Sequence, residues 1–320
     1  MTTAQSARRV GFHAALVSDF RQPATLIRAA QNAEAAGFDG IALSDHPYGE
    51  WQPDTWTVLS YLAAVTNRVT LSPNVIHLPA RNPVVLAKAA ATLDVLSSGR
   101  VALGLGAGDR KYHTGMRSMG LPTAGAADSL AALREAVAVI RLVWRGESPV
   151  TFAGTRYTLD EFIGGLRPAH RIDVLLGAVG PKALALAGEV ADGWTVSRVS
   201  IDELIEKRRI LDAAAARVGR NTAAISTRYN LLGRITNGPT QGRFDGPPDH
   251  WVEVLSELAI DGGVDTFLIH FVTEPVGSTE FQHLTRHDDT ASQYRLFAED
   301  VIPAVRDAVQ ANETRKGTIT

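Results

Sequence analysis

Short apolar runs and amphipathic helical patterns take turns along almost the whole of this chain, and no other feature limits its fold as tightly. Candidate strands fall at residues 10–17, 40–44, 69–76, 101–105, 173–177, 194–197, 224–235 and 266–270. Helical periodicity fills the gaps at 23–36, 54–66, 83–96, 181–191, 201–218, 249–260 and 292–309. Between the fourth and fifth strands, Leu130, Leu133, Val137, Ile140 and Trp144 recur every three or four residues, the stripe of a helix laid on a sheet. Consecutive parallel strands need crossover helices, so eight strands each followed by a helix predict an α/β fold of the (β/α)8 barrel type. An open doubly wound sheet uses the same alternation, and a count of elements does not distinguish the two.

Three segments depart from the alternation and are expected as insertions at one mouth of a single domain. Residues 147–171 contain VTFAGTRY, the pattern of a small hairpin, while 236–248 (TNGPTQGRFDGPP) and 274–290 read as turn-rich loops. A net charge of −2 with mixed signs gives no electrostatic footprint for nucleic acid or an anionic membrane. The chain has no cysteine, which removes disulfides, thiolate metal sites and cysteine nucleophiles and fits a reducing cytoplasm. No apolar run approaches transmembrane length.

The richest segment is VLLGAVGPKALALAGEVADGWTV, residues 174–196. An apolar strand runs into Gly177-Ala178-Val179-Gly180, and Pro181 suits the first helical position. The glycines let backbone approach a ligand. Free amides at a helix start favour an anion such as phosphate, and Lys182 adds positive charge.

Other polar groups follow the remaining strands, where a barrel gathers its catalytic loops. The second strand ends in Ser44-Asp45-His46-Pro47. His46 is the acid–base candidate, because imidazole exchanges a proton near neutral pH, and Asp45 is placed to orient it. A helix-start cap or a surface pair is the competing explanation. The third strand runs into Asn74-Val75-Ile76-His77, and the fourth into Gly104-Leu105-Gly106-Ala107-Gly108-Asp109. Those glycines suit backbone approach to a planar cofactor with Asp109 at its edge, or simply a tight turn. A third glycine at Rossmann spacing is missing.

His13 and His270 lie in the first and last strands as pocket-lining candidates, and Tyr48 and Trp51 could stack on a flat ring. Trp56 has the helical spacing of a core residue. Arg81 and Arg100 read as salt bridges at the barrel rim. His283 and His287 stand four apart beside Asp288, but no Glu follows His283 and the segment is turn-like, so no metal is expected.

Several of these pieces occur together in one family. Ser44-Asp45-His46, Arg81-Asn82-Pro83 leading to Ser97-Ser98-Gly99-Arg100, Leu103 to Asp109, and Gly177 to Lys182 with Asp192-Gly193-Trp194 resemble the bacterial luciferase-like superfamily of flavin- and deazaflavin-dependent oxidoreductases, over about residues 8–310. Asp-His after the second strand, Gly-Asp-Arg-Lys after the fourth and Gly-Pro-Lys after the fifth look most like its coenzyme F420 branch, which includes methylenetetrahydromethanopterin reductases. Val179 stands where the family often has Ser, Thr or Gln, so that contact would come from backbone amides. Asp109 stands where the sugar-phosphate enzymes of the branch have glutamate, which weakens that assignment.

The resemblance implies F420, with FMN as the alternative, lying across the mouth with its ring backed by Asn74-Val75, where the branch carries a non-proline cis peptide. Gly106, Ala107, Gly108 and Asp109 would meet the polar edge, and Gly177 to Lys182 the phosphate arm. It further implies a small-molecule substrate near His46, His13, Trp51 and His270, proton exchange at His46, and a homodimer. An FMN-dependent monooxygenase on the same fold and a non-catalytic cofactor-binding barrel are the rival expectations.

Overall fold

In the computed structural model, which describes residues 9–16, 21–272 and 290–319, the alternation closes into a barrel. The strands and helices run β1 (Gly11–Leu16), α1 (Pro23–Ala36), β2 (Gly40–Leu43), α2 (Thr55–Val65), β3 (Thr70–Pro73), β4 (Ile76–His77), α3 (Pro83–Leu96), β5 (Leu103–Gly106), α4 (His113–Ser118) and α5 (Ala126–Trp144). They continue through β6 (Val150–Ala153), β7 (Thr158–Phe162), β8 (Val174–Gly177), α6 (Pro181–Val190), β9 (Gly193–Ser197), α7 (Ile201–Arg217) and β10 (Ser226–Ile235). The last are β11 (Asp245–Gly246), α8 (Pro248–Ile260), β12 (Thr266–Phe271), α9 (Thr290–Leu296) and α10 (Ile302–Ile319).

Barrel strands are parallel, in the order β3-β2-β1-β12-β10-β9-β8-β5-β4. The segment 69–76, expected as one strand, is two: β3 bonds β2 and β4 bonds β5, with the Asn74-Val75 peptide, which is cis, between them. Leu71 completes the ring, taking a bond from Ala102 N–H at 3.1 Å and bridging Val101. Counting β3 and β4 as one, eight strands close the barrel, and the open-sheet alternative falls away. Each following helix has local reasons to start: Asn82 caps α3 by accepting from the Val84 and Val85 N–H groups ahead of Pro83, and Ser200 with Glu203 forms a capping box for α7.

The hydrophobic core lies outside the barrel, between strands and helices. Phe12 meets Phe267 at 5.6 Å and Phe297 at 5.8 Å, and Phe38, Trp251, Phe271 and Tyr294 continue the aromatic layer. Barrels of this type usually fill their interior with Val, Ile and Leu. Here several inward positions are small or polar: Ala15 and Ala42 cluster with Leu268, with His13 paired to Gly40 and Leu268, and Asn230 paired to Leu268 on its other side. Arg228 sits one step lower on β10, beside Thr195 and Thr266.

The hairpin is present as antiparallel β6 and β7, though its second strand begins after Tyr157. The loop after β10 folds back through β11, pinned by Arg234 to both carboxylate oxygens of Asp245 at 3.1 Å. The helix expected at 292–309 is interrupted by a π turn at Phe297–Val301, and α4 was not anticipated. The loop expected at 274–290 lies almost wholly outside the described residues, as do His283 and His287. Among the described residues no helix is long and apolar enough to cross a membrane.

Candidate active site

The floor of the mouth is built around Val75. Its side chain lies in a notch left by Gly104, Gly106 and Gly177: a Cβ on Gly106 would come within 2.8 Å of Val75 Cγ2, and one on Gly177 within 3.2 Å. Sequence reasoning gave these glycines to close backbone–cofactor approach. Within the protein itself, Gly106 and Gly177 make room for the valine, and Gly104 for the Pro73 carbonyl, which a Cβ would approach to 2.3 Å. Gly108 has φ +88° and turns the chain against His77 and Pro79. Exposed Asp109 accepts from Lys111 N–H at 3.1 Å and so caps the short turn that carries Tyr112.

One wall is a cluster of rings. His46 Nδ1 and the Tyr48 hydroxyl are 2.7 Å apart. Tyr48 stacks on Tyr112 at 5.1 Å and 29°, His77 meets Tyr48 edge-on at 5.6 Å, and His46 lies 5.1 Å from Tyr112. Lys111 Nζ sits 4.8 Å over the Tyr112 ring. Burial lowers the pKa of His46, with Asp45 opposing and His77 and Lys111 adding to the fall, so the ring is neutral around pH 7. His77 is lowered in the same way, by burial and then His113 against Asp45.

Asp45 was expected to orient His46, and the structure corrects this. Its fully buried carboxylate accepts from His77 N–H at 3.0 Å and from Arg81 Nη2 at 2.9 Å. A buried carboxylate takes the strongest donors within reach, and here those are a guanidinium and a strand-end amide. Arg81 also holds Asp54, the cap of α2, at 2.6 Å; burial alone would lower its pKa, but Asp45 and then Asp54 hold it above its ordinary range. The expected rim salt bridge is therefore present at Arg81. At Arg100 it is not: that guanidinium bonds the carbonyls of Ala63, Val69 and Ser97 and the Thr66 hydroxyl.

After β8, three residues beyond Gly177, α6 starts at Gly180 with no side-chain cap, and a Cβ there would meet nothing within 4 Å. Lys182 is exposed, and Lys207 from α7 reaches the Val179 carbonyl at 3.4 Å, giving two cations beside the bare helix start. Trp194 Nε1–H fixes the turn by donating to the Ala178 carbonyl at 2.9 Å.

Of the other expected residues, Trp51 stands 57% exposed on the loop after β2, and Trp56 packs on the core. His13 and His270 are both buried in the barrel interior, His13 lowered to about 3 by burial and Arg228, and His270 to about 4 by burial and Arg198. They do not join the ring cluster. Sequence reasoning missed His77 as a wall residue, Tyr112, Arg81 as the anchor of Asp45, and Lys207. His77 carried a signal as a histidine ending a strand, and Arg81 as an expected rim salt bridge whose partner the sequence did not give. No cluster of His, Cys, Asp and Glu able to hold a metal occurs among the described residues.

Residues 3–232 match the family model of luciferase-like monooxygenases. An F420-dependent glucose-6-phosphate dehydrogenase of Beutenbergia cavernae is 36% identical, over 86% of this chain and 91% of the relative. A putative coenzyme F420-dependent oxidoreductase of Mycobacterium tuberculosis is 40% identical, over 51% of this chain and 48% of the relative. Among solved structures, an F420-dependent secondary alcohol dehydrogenase in complex with an F420-acetone adduct superposes with a TM-score of 0.79, covering 93% of this chain and all of that one at 19% identity.

Proposed function

The chain belongs to the luciferase-like monooxygenase family, and from that footing we propose that it is an oxidoreductase moving a hydride between coenzyme F420 and a small organic substrate. The observation that carries the reading is the pairing of a valine floor, sunk among glycines, with an uncapped, cation-flanked helix start on the adjoining loop. A flat ring fits over the first and an anionic arm onto the second. F420 is preferred to FMN because the similar curated relatives are named for F420.

Val75 would back the ring, Ala107, Gly108 and Asp109 would meet its polar edge, and the amides of Val179, Gly180 and Lys182 would hold the phosphate. When bound, the coenzyme supplies the hydride chemistry. The residues of this chain orient it, exclude water and handle the proton. His46, neutral at physiological pH, exchanges the balancing proton with the substrate, and the ring cluster with Trp51 forms the wall against which substrate rests. The name of the family model favours the alternative of an FMN monooxygenase.

We also place a second copy of the chain on α2 and α3. Tyr61, Val85, Val95 and Leu96 are exposed there, and α2 carries no charged residue, whereas the outer face of α7 is densely charged.

The deciding experiment is equilibrium binding of F420 against FMN to the apo-protein, followed by fluorescence. F420 should bind and FMN should not displace it. Tighter FMN binding, with rapid reaction of the reduced complex with oxygen, would move the assignment to the monooxygenase.

A further inference from the structure

We propose that Tyr48 is the positioning residue that sets the tautomer of His46: its phenol donates to Nδ1, so the neutral imidazole carries its hydrogen on Nε2. The role of His46 in turnover rests on the function proposed above. The tautomer does not.

The direction of the 2.7 Å bond follows from what each partner has to give. A phenol has one hydrogen, and among the described residues His46 Nδ1 is the hydrogen-bonding partner it meets. If Nδ1–H donated instead, that hydrogen would be left to solvent inside a ring cluster. Burial, and then Tyr112, Asp45 and Asp109, push the Tyr48 phenol well above its ordinary range, so it keeps the hydrogen. Burial pushes His46 down, so its Nδ1 lone pair is available.

The phenol is also held where it is. Tyr112 stacks on one face, His77 abuts the ring edge-on, and Gly115 of α4 leaves the space behind it: a Cβ there would come within 2.7 Å of Tyr48 Cβ. Asp45 is directed elsewhere: its two oxygens accept from His77 N–H and Arg81 rather than from His46. A neutral imidazole so held offers Nε2–H to a substrate oxygen as a donor. For Nε2 to accept a proton, the hydrogen must sit on Nδ1, and the Tyr48 oxygen then accepts from it. One hydroxyl thus serves both states and fixes which is favoured at rest.

The test is a long-range proton–nitrogen NMR spectrum of apo-protein labelled with nitrogen-15 histidine, at about pH 8, above the ordinary histidine range. His46 signals are identified by their loss in His46→Gln. The expected result is the Nε2–H tautomer in the native protein and a mixture of tautomers in Tyr48→Phe, which keeps the ring stack. Gly115→Ala, which displaces the phenol while keeping its hydroxyl, should loosen the preference as well. With F420 bound, Tyr48→Phe should change kcat by about 3- to 10-fold, the worth of one neutral hydrogen bond, with coenzyme affinity unchanged. An Nδ1–H tautomer in the native protein, or an unaltered tautomer in Tyr48→Phe, overturns the assignment whether or not F420 binds. Failure to bind F420 with the Nε2–H tautomer intact would overturn the proposed function and leave Tyr48 in its role.

Discussion

Acidification should weaken this fold through a histidine buried in the barrel interior. His13 is 5% exposed inside the barrel, its ring so close to Gly40 that a Cβ there would lie 2.5 Å away. Burial and the nearby Arg228 lower its pKa from 6.5 to about 3. In the unfolded chain the ring takes its proton near 6.5, so between the two values the unfolded state binds one proton more. Stability is therefore full above pH 6.5 and is lost as pH falls, by about 1.4 kcal/mol per unit. From pH 6.5 to about 5 the loss is roughly 2 kcal/mol, and it does not depend on the folded value as long as that lies well below 5. Urea denaturation at pH 7 and pH 5 measures it, with His13→Asn as the partner protein, so that contributions from other groups cancel. The variant will start out less stable, but should lose about 2 kcal/mol less than the native chain between the two pH values. Equal losses in both would refute the buried neutral ring. His270→Asn should behave alike, since His270 is lowered to about 4.

Other consequences follow from the same contacts. His46→Ala should bind coenzyme normally and lose about 10²- to 10⁴-fold in turnover by steady-state assay, the worth of a general acid–base; unchanged turnover removes His46 from the reaction. Gly106→Ala pushes on Val75 and should weaken coenzyme binding about tenfold or more (titration), given the 2.8 Å approach. Arg81→Met leaves the buried Asp45 without its guanidinium and should cost about 3–5 kcal/mol in chemical denaturation, far beyond a surface ion pair. Leu96→Lys, at a side chain 76% exposed on α3, should convert a dimer to monomer on a sizing column with turnover chemistry intact.

The architecture was legible because parallel strands and crossover helices write themselves as periodicity, and seven of the eight strand positions needed only end adjustments. The third strand was expected as one run over 69–76, yet Ser72-Pro73-Asn74 interrupts its apolar residues, and the cis Asn74-Val75 peptide that the resemblance implied lies between its two halves. Glycines in the 104–108 and 177–180 turns show in the sequence that space is needed there, but not what fills it: Val75 at Gly106 and Gly177, and His77 with Pro79 at Gly108. Asp45 and His46 are neighbours in sequence, which suggested a pair. Successive residues point different ways, and Asp45 turns to partners 32 and 36 positions downstream. Tyr48 replaces it, two residues beyond His46 in a turn whose geometry no pattern predicts.

The most direct test of the account is a crystal structure of the protein with F420. It predicts the ring lying against Val75, with the phosphate on the amides that open α6 and His46 beside the open face. Coenzyme density away from that mouth, or a phosphate seated elsewhere than the start of α6, would contradict it.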